Sequence, residues 1–228
     1  DVGDAEIDVG VALHPDGEVA AASDRWFREA VRLAGALGIG TVGTFSGCPG
    51  ESERSVRPSW VTCSWPDDFP ETLAWQWQER VIPYWQEAAA FARGHGVRVA
   101  IEPHPGFVVY NTRTLLRLRE AAGENLGANF DPSHLFWQQI DPCASARALA
   151  GAVFHVHAKD TGFVDERLAL DGVLETRRDP GERAWIFRSV GDGHTVAFWR
   201  SLAAALREAG YDGALSIEHE DPLRSRED

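Results

Sequence analysis

Short apolar runs of strand type alternate with stretches of helical spacing along most of this 228-residue chain. Residues 97–102 and 126–131 are two such runs, and the helical stretch 112–122 lies between them. A chain that alternates in this way forms right-handed βαβ units with parallel strands. The pattern contains about seven strands, and about eight close a barrel. It therefore predicts an α/β fold, a (β/α)8 TIM barrel that is incomplete in this chain.

The expected elements fit one partial domain over residues 1–228. Strands are expected at 7–13, 39–45, 97–102, 126–131, 152–157, 185–190 and 214–218, and helices at 24–37, 71–93, 112–122, 142–150 and 195–209. Asp24 is expected to cap the first helix, and Asp141 before Pro142 has the composition of a helix N-terminus. The chain contains no Met and stops soon after the last expected strand. We therefore expect the first strand region and the last helix of the barrel to be missing.

The composition favours a cytoplasmic protein that handles small molecules. Lys and Arg number 22 against 35 Asp and Glu, a formal net charge of −13, whereas proteins that bind a phosphate backbone carry a basic face. The 3 cysteines are widely spaced and indicate neither a disulfide framework nor a thiolate zinc site. No apolar run approaches the roughly 18 residues that span a bilayer, and no signal-peptide pattern opens the chain. We expect no nucleic-acid or membrane partner, and self-association into a homo-oligomer stays open.

Four of the expected strands end in residues that can bind a metal. They are Glu102, Asp131, His157 and Glu218. The carboxyl ends of parallel strands meet at one mouth of a β/α barrel, so these side chains are expected to converge. Three carboxylates and one imidazole suit Mn²⁺, Mg²⁺ or Co²⁺ and tolerate Zn²⁺. A single acid at a strand end is usually solvated or paired, but four ligand-type residues at successive strands favour one divalent-metal site. His155, two residues before His157, is better explained as a core histidine.

Further residues near these strand ends are candidates for binding a substrate. They are His104, His134, Trp137, Lys159 and His194. His104 and His134 each follow an acid by two or three residues, which places them to bond substrate hydroxyls or to orient the ligand carboxylates. Lys159 is placed to hold a substrate oxygen, with a surface ion pair as the alternative. Trp137 offers an apolar wall to a sugar ring, with core filling as the alternative.

Six segments resemble the signatures of the sugar phosphate isomerase/epimerase family within the xylose isomerase-like TIM barrels. They are residues 45–50, 102–107, 129–138, 155–160, 190–194 and 216–221. The resemblance implies that the four residues named above are the metal ligands and that His134 contacts the substrate. It also implies that Glu102 and Glu218 form the acid/base pair of a ketose epimerase.

The residues and the resemblance together leave several functions to weigh. The leading one is metal-dependent proton transfer at the carbon beside a carbonyl, which isomerises or epimerises a sugar or sugar derivative. A lyase acting on a keto-sugar or keto-glycoside shares the first step and then expels a leaving group. Zinc-dependent endonucleases share the barrel but need more ligands and a basic face, which the net charge disfavours. A barrel that only binds or assembles is disfavoured by the four intact ligand positions.

Overall fold

The chain divides into two compact units, residues 1–129 and 130–228. The computed structural model describes residues 5–6, 12–174 and 176–225. The elements up to the unit boundary are, in order, β1 (Ala5–Glu6), α1 (Gly17–Leu37), β2 (Thr41–Phe45), α2 (Asp68–Trp75), a π-helical segment (Gln76–Val81), α3 (Ile82–Gly94), β3 (Arg98–Glu102), α4 (Thr112–Ala122) and β4 (Leu126–Phe130). Those that follow are α5 (Pro132–Phe136), α6 (Pro142–Ala148), β5 (Val153–Ala158), β6 (Asp160–Phe163), α7 (Asp165–Asp171), a 3-10 turn (Pro180–Glu182), β7 (Trp185–Arg188), α8 (Val196–Glu208) and β8 (Leu215–Ile217).

The first unit contains the parallel βαβ arrangement that the sequence predicts. Strands β1, β2, β3 and β4 pair side by side in parallel, in chain order. Val42, Val99 and Leu126 follow one another across the sheet in register, and all three side chains are fully buried. Phe45 pairs with Glu102, so β2 and β3 end at the same level. Side chains that follow these two strands therefore emerge at a common edge of the sheet.

The second unit contains one parallel strand pair and one antiparallel pair. Strand β5 pairs in parallel with β8, and His157 lies opposite Ser216. Strand β7 pairs instead with β6 in antiparallel register. The expectation that residues 185–190 form a further parallel strand is therefore wrong. The chain turns back on itself after β5, and Trp185 of β7 packs into a small apolar cluster with Trp137 and Ala184.

Two element boundaries differ from the expected ones for identifiable reasons. Helix α1 begins at Gly17, because the carboxylate of Asp16 accepts hydrogen bonds from the backbone N–H groups of Glu18 and Val19. Asp24, the expected cap, lies inside the helix, where it forms an ion pair with Arg28. Most of the first expected strand, residues 7–11, falls outside the described residues.

Two expectations about helices, the extent of α4 and the cap of α6, are confirmed. Helix α4 spans the expected residues, and the Asp141 side chain caps α6 by accepting from the backbone N–H groups of Cys143 and Ala144. Pro83 lies at the start of α3, directly after the π-helical segment. Among the helices of the described residues, none is long and apolar enough to cross a membrane.

The side-chain amide of Gln76, the first residue of the π-helical segment, binds the long loop that follows β2. The side chain of Gln76 is almost fully buried. Its Nε2 atom donates to the carbonyl oxygens of Pro49, Gly50 and Ser59, at 3.1, 3.1 and 2.6 Å. One donor group thus satisfies carbonyls from both ends of the segment 49–59. The loop has a fixed attachment even though residues 51–67 contain no helix or strand.

Replacing Gln76 by Glu is expected to destabilise the protein. The carboxylate has nearly the same shape but no N–H group, so its oxygens would face three carbonyl oxygens in a buried site. A buried charge without a donor costs about 2–4 kcal/mol, which urea unfolding would measure. Gln86→Glu is the matched control, because Gln86 also donates to a carbonyl, that of Ala121, but is exposed. Equal losses of stability in the two variants would contradict the anchoring role.

Candidate functional site

Three of the four predicted metal ligands converge within the second unit. Asp131 follows β4 directly, His157 lies near the end of β5, and Glu218 follows β8. The parallel pairing of β5 and β8 continues past Ile217, since the backbone N–H of Glu218 donates to the carbonyl of Ala158 at 3.3 Å. One ligand atom from each of the three side chains lies within 4.8 Å of the others. The strand ends therefore gather two carboxylates and one imidazole at one point.

A lysine ammonium group lies among these side chains. Lys159 Nζ is 2.9 Å from Asp131 Oδ2 and 2.5 Å from Glu218 Oε2. The Glu220 carboxylate is 3.6 Å from the same nitrogen, and the Phe187 ring centroid is 4.8 Å away. The lysine side chain is only 4% exposed. Two of the three predicted ligand carboxylates thus share one buried cation.

Both carboxylates are anionic at neutral pH. Burial alone would raise the pKa of Glu218, but the hydrogen bond with His157 and the charge of Lys159 lower it to about 2. Burial likewise acts to raise the pKa of Asp131, but the positive charge that His134 carries when protonated and the charge of Lys159 outweigh it, so this pKa lies below its ordinary value. Two anionic oxygens beside an imidazole are a donor set that divalent ions bind. The side chains present therefore fit a divalent metal.

His134 adds a neutral imidazole beside this group. It is almost fully buried, and its Nε2 lies 3.3 Å from Asp131 Oδ2. Burial is the main cause that lowers its pKa to about 4, and the positive charge of Lys159 acts in the same direction, against the attraction of Asp131 and Glu218. The ring is therefore uncharged at neutral pH. It is placed to orient the Asp131 carboxylate, one of the two roles expected from the sequence.

His194 is held in place by a buried carboxylate that the sequence analysis did not assign to the site. Asp160 is fully buried, and its Oδ2 accepts from the backbone N–H groups of Gly191, Gly193 and His194 at 2.9–3.1 Å. Its Oδ1 lies 2.6 Å from Nδ1 of the His194 ring. That ring stacks on Phe136 at 3.8 Å. The signal for this arrangement is an acid directly after a strand together with a Gly-Asp-Gly-His turn later in the chain.

The other predicted site residues lie in diverse surroundings. Trp137 is buried and stacks on Trp185 at 4.5 Å, so core filling, the alternative weighed for it, describes its contacts. In the first unit, Glu102 ends β3, is 3% exposed, and accepts a hydrogen bond from Asn129 Nδ2 at 3.1 Å. His104 follows it, and its ring lies edge-on to Phe45 at 5.2 Å. Metal binding by Glu102 and substrate binding by His104 remain predictions.

Removing the Asp160 carboxylate is expected to cost more stability than removing a neighbouring exposed one. Asp160→Ala leaves four backbone N–H groups, those of Thr161, Gly191, Gly193 and His194, without their acceptor. Each such loss costs about 1–3 kcal/mol, so a total loss of about 4 kcal/mol or more is expected in urea unfolding. Asp192→Ala is the matched control. Asp192 belongs to the same turn, and in the described part of the chain its carboxylate pairs with Arg188 and Arg224, whose side chains are 22% and 44% exposed. Such pairs contribute about 0–1 kcal/mol. A loss of stability below about 1 kcal/mol for Asp160→Ala would contradict the role of Asp160 in holding the turn at residues 191–194.

The stability of the metal-free protein is expected to fall as the pH decreases from about 6.5 to 4.5. In this window the unfolded chain protonates His134, whereas the folded protein, with a pKa of about 4, does not. The contribution of neutral His134 to the free energy of unfolding is thus fully present above about pH 6.5. About 2–3 kcal/mol of it is lost as the pH falls through the window. His134→Gln is expected to flatten the dependence by that amount in urea titrations. His95→Gln, which removes an exposed imidazole, is the control, and identical slopes for wild type and His134→Gln would contradict the assignment.

Two curated proteins share substantial sequence with this chain. The uncharacterized protein YfiH of Bacillus subtilis strain 168 is 39% identical over 202 residues, covering 86% of this chain and 64% of that protein. The inosose dehydratase of Serratia proteamaculans strain 568 is 28% identical over 177 residues, covering 76% of this chain and 58% of that protein. The chain therefore spans less than two thirds of the length of either relative.

Solved structures with the expected fold resemble this one at low sequence identity. The IolI protein with a bound zinc atom gives a TM-score of 0.63 at 16% identity, covering 96% of this chain and 68% of that one. An L-ribulose 3-epimerase gives 0.59 at 18% identity, covering 98% of this chain and 64% of that one. At such identities the likeness shows the fold alone. It confirms the TIM-barrel fold class predicted from the alternation of strands and helices.

The family assignment rests on a match over nearly the whole chain. The model described as xylose isomerase-like TIM barrel matches residues 8–228. The motifs that carried the resemblance in the sequence fall inside this range. The chain belongs to the xylose isomerase-like TIM barrel family.

Proposed function

We propose that this protein is a divalent-metal-dependent sugar isomerase or epimerase that removes a proton from the carbon beside a carbonyl group. The observation that carries the proposal is the approach of Asp131, His157 and Glu218 ligand atoms to within 4.8 Å of one another at strand ends. The fold shared with an L-ribulose 3-epimerase supports it. The expected partner is a small-molecule sugar or sugar derivative.

The metal would be held by Asp131, His157 and Glu218, with Glu102 proposed as the fourth ligand on the strength of the family motif. Hard carboxylate oxygens favour Mn²⁺, Mg²⁺ or Co²⁺, and the zinc atom bound by IolI supports Zn²⁺ as an alternative. When bound, the ion would polarise the carbonyl oxygen of the substrate and so acidify the neighbouring C–H group.

Proton transfer is proposed for the two glutamates at the ends of β3 and β8. A general base must be ionised, and Glu218 is ionised because its pKa is about 2. A carboxylate with so low a pKa is a weak base. The contact from Lys159 contributes to this low pKa. Glu102, buried at the end of β3, is the proposed second member of the acid/base pair.

Substrate hydroxyls would be bound by neutral and cationic groups around the ligands. The neutral ring of His134 can donate through one nitrogen or accept through the other. Asp160 fixes the orientation of His194, whose side chain is 26% exposed. A polyol needs such paired donors and acceptors, because each buried hydroxyl must keep its hydrogen bonds. His104 and Lys159 are proposed to complete these contacts, and Trp137 is proposed to support them through its packing.

A lyase is the second candidate, and one observation favours it. The Serratia proteamaculans relative named inosose dehydratase is 28% identical over 177 residues. A dehydratase removes the same kind of proton from the carbon beside the carbonyl. A hydroxyl group on the next carbon then leaves with a proton as water, and a double bond forms between the two carbons. The same glutamates would serve both reactions.

Isotope exchange is expected to reveal the proton-transfer residues. Wild-type protein with Mn²⁺ in D₂O should introduce deuterium beside the carbonyl of L-ribulose or of an inosose, measured by NMR. Glu102→Gln and Glu218→Gln keep the shape and an oxygen but remove the basic carboxylate. Loss of a general base lowers the rate by about 10²–10⁴, so exchange should be lost in at least one variant that still binds Mn²⁺. Release of water from the inosose, without epimer formation from the ketose, would select the lyase.

Two further variants separate the causes of lost exchange. Asp131→Ala removes a ligand, so excess Mn²⁺ should partly restore its exchange, whereas excess metal should not restore the Glu→Gln variant. Glu124→Gln changes an exposed acid and should retain the wild-type rate. Wild-type exchange rates in both Glu102→Gln and Glu218→Gln would rule out the proposed mechanism.

A further inference from the structure

The ammonium group of Lys159 contacts two of the carboxylates that would bind the proposed metal. Lys159 Nζ contacts Asp131 Oδ2 at 2.9 Å and Glu218 Oε2 at 2.5 Å. Asp131 and Glu218 also belong to the three-residue group whose ligand atoms lie within 4.8 Å of one another. The lysine is therefore inside the ligand set and is itself a cation in the buried space between the carboxylates.

A divalent metal ion and the Lys159 ammonium group repel each other when both contact the Asp131 and Glu218 carboxylates. Metal–oxygen bonds of such ions are about 2.0–2.2 Å, so a metal bound to the same two carboxylates would lie roughly 3–4 Å from an unmoved ammonium. At that separation the repulsion between a dication and an ammonium is large in a site with little water. Asp131 and Lys159 are 0% and 4% exposed at their side chains, so solvent screens this repulsion weakly.

The structure provides a place to which the lysine can withdraw. Glu220 Oε2 lies 3.6 Å from Lys159 Nζ, and the Glu220 side chain is 54% exposed. Lysine has a flexible four-carbon stem, so a short movement of its end can exchange one carboxylate for another. Glu220 takes no part in the three-residue ligand group. It is thus a carboxylate that remains available to the ammonium when the other two bind a metal.

We propose that Lys159 is an internal counter-ion that holds Asp131 and Glu218 together in the metal-free protein, and that a divalent ion binds by displacing it toward Glu220. The inference rests on the metal site of the proposed function. It assigns to Lys159 the role of setting metal affinity. Displacement also leaves the ammonium beside the ligands, where an N–H group that Glu220 does not use can bind a substrate oxygen.

Lys159→Met tests this role, because methionine has a similar length but no charge. Mn²⁺ affinity would be measured by titration calorimetry and by competition with a chelator. The variant is expected to bind Mn²⁺ at least about tenfold more tightly than wild type, since no cation has to leave the carboxylates. Arg147→Met is the matched control: it removes one positive charge from an exposed pair with Glu208 in the same unit and is expected to leave the affinity unchanged.

A double-variant cycle tests the receiving carboxylate. Glu220→Gln is expected to weaken Mn²⁺ binding when Lys159 is present, because the displaced ammonium loses its new partner. The same change in the Lys159→Met background is expected to have a much smaller effect. Equal effects in the two backgrounds would mean that Glu220 acts through its charge alone, and this would overturn the displacement.

Thermal unfolding keeps the test informative if the metal-free variant is unstable. Without its counter-ion, Lys159→Met is expected to unfold at a lower temperature than wild type and to gain more from added Mn²⁺. If the variant can be prepared only with metal, chelator competition still yields its affinity. Affinity equal to or weaker than that of wild type overturns the role of Lys159 while leaving the proposed function intact. Failure of both proteins to bind Mn²⁺ overturns the metal site itself.

Discussion

The Asp131 carboxylate contacts both a backbone N–H group and the side chains of the candidate metal site, because its two oxygens have different partners. Oδ1 accepts a hydrogen bond from the backbone N–H of Ser133 at 2.8 Å and so caps helix α5. Oδ2 lies 2.9 Å from Lys159 Nζ and 3.3 Å from His134 Nε2. The cap fixes the orientation of the carboxylate, and that orientation decides which atoms can approach it. A change in the first turn of α5 therefore alters the electrostatics around Lys159 and His134.

Part of this arrangement follows from local sequence rules. The positions of strands β2, β3 and β4, helix α4 and the Asp141 cap are short-range features, since each depends on residue types within a few positions. The gathering of Asp131, His157 and Glu218 depends on a topological rule, that parallel strands present their carboxyl ends on one side. Both kinds of rule can be applied to a sequence without knowing any side-chain position.

The features that escaped prediction depend on contacts between distant segments. The pairing of β6 with β7 joins residues about 25 positions apart and is stabilised by the stacked rings of Trp137 and Trp185. The Asp160 hydrogen bonds span 31–34 positions. Lys159 was expected to meet a substrate or a surface acid, but which carboxylates a long flexible side chain contacts depends on packing around it. The periodicity of apolar residues in the sequence does not determine which of these distant contacts form.

The turn at residues 191–194 has little freedom to change, and this limits where the protein can acquire a different specificity. Gly193 approaches β6 so closely that a Cβ atom there would collide with the Thr161 carbonyl and the Asp160 carboxylate. Residues of the turn and Asp160 can therefore be altered only together. Residues 164–174 and 176–184 are a different case, because most of their side chains are exposed or half-buried. A library designed to broaden the range of accepted molecules should keep the turn intact and place its diversity in that segment.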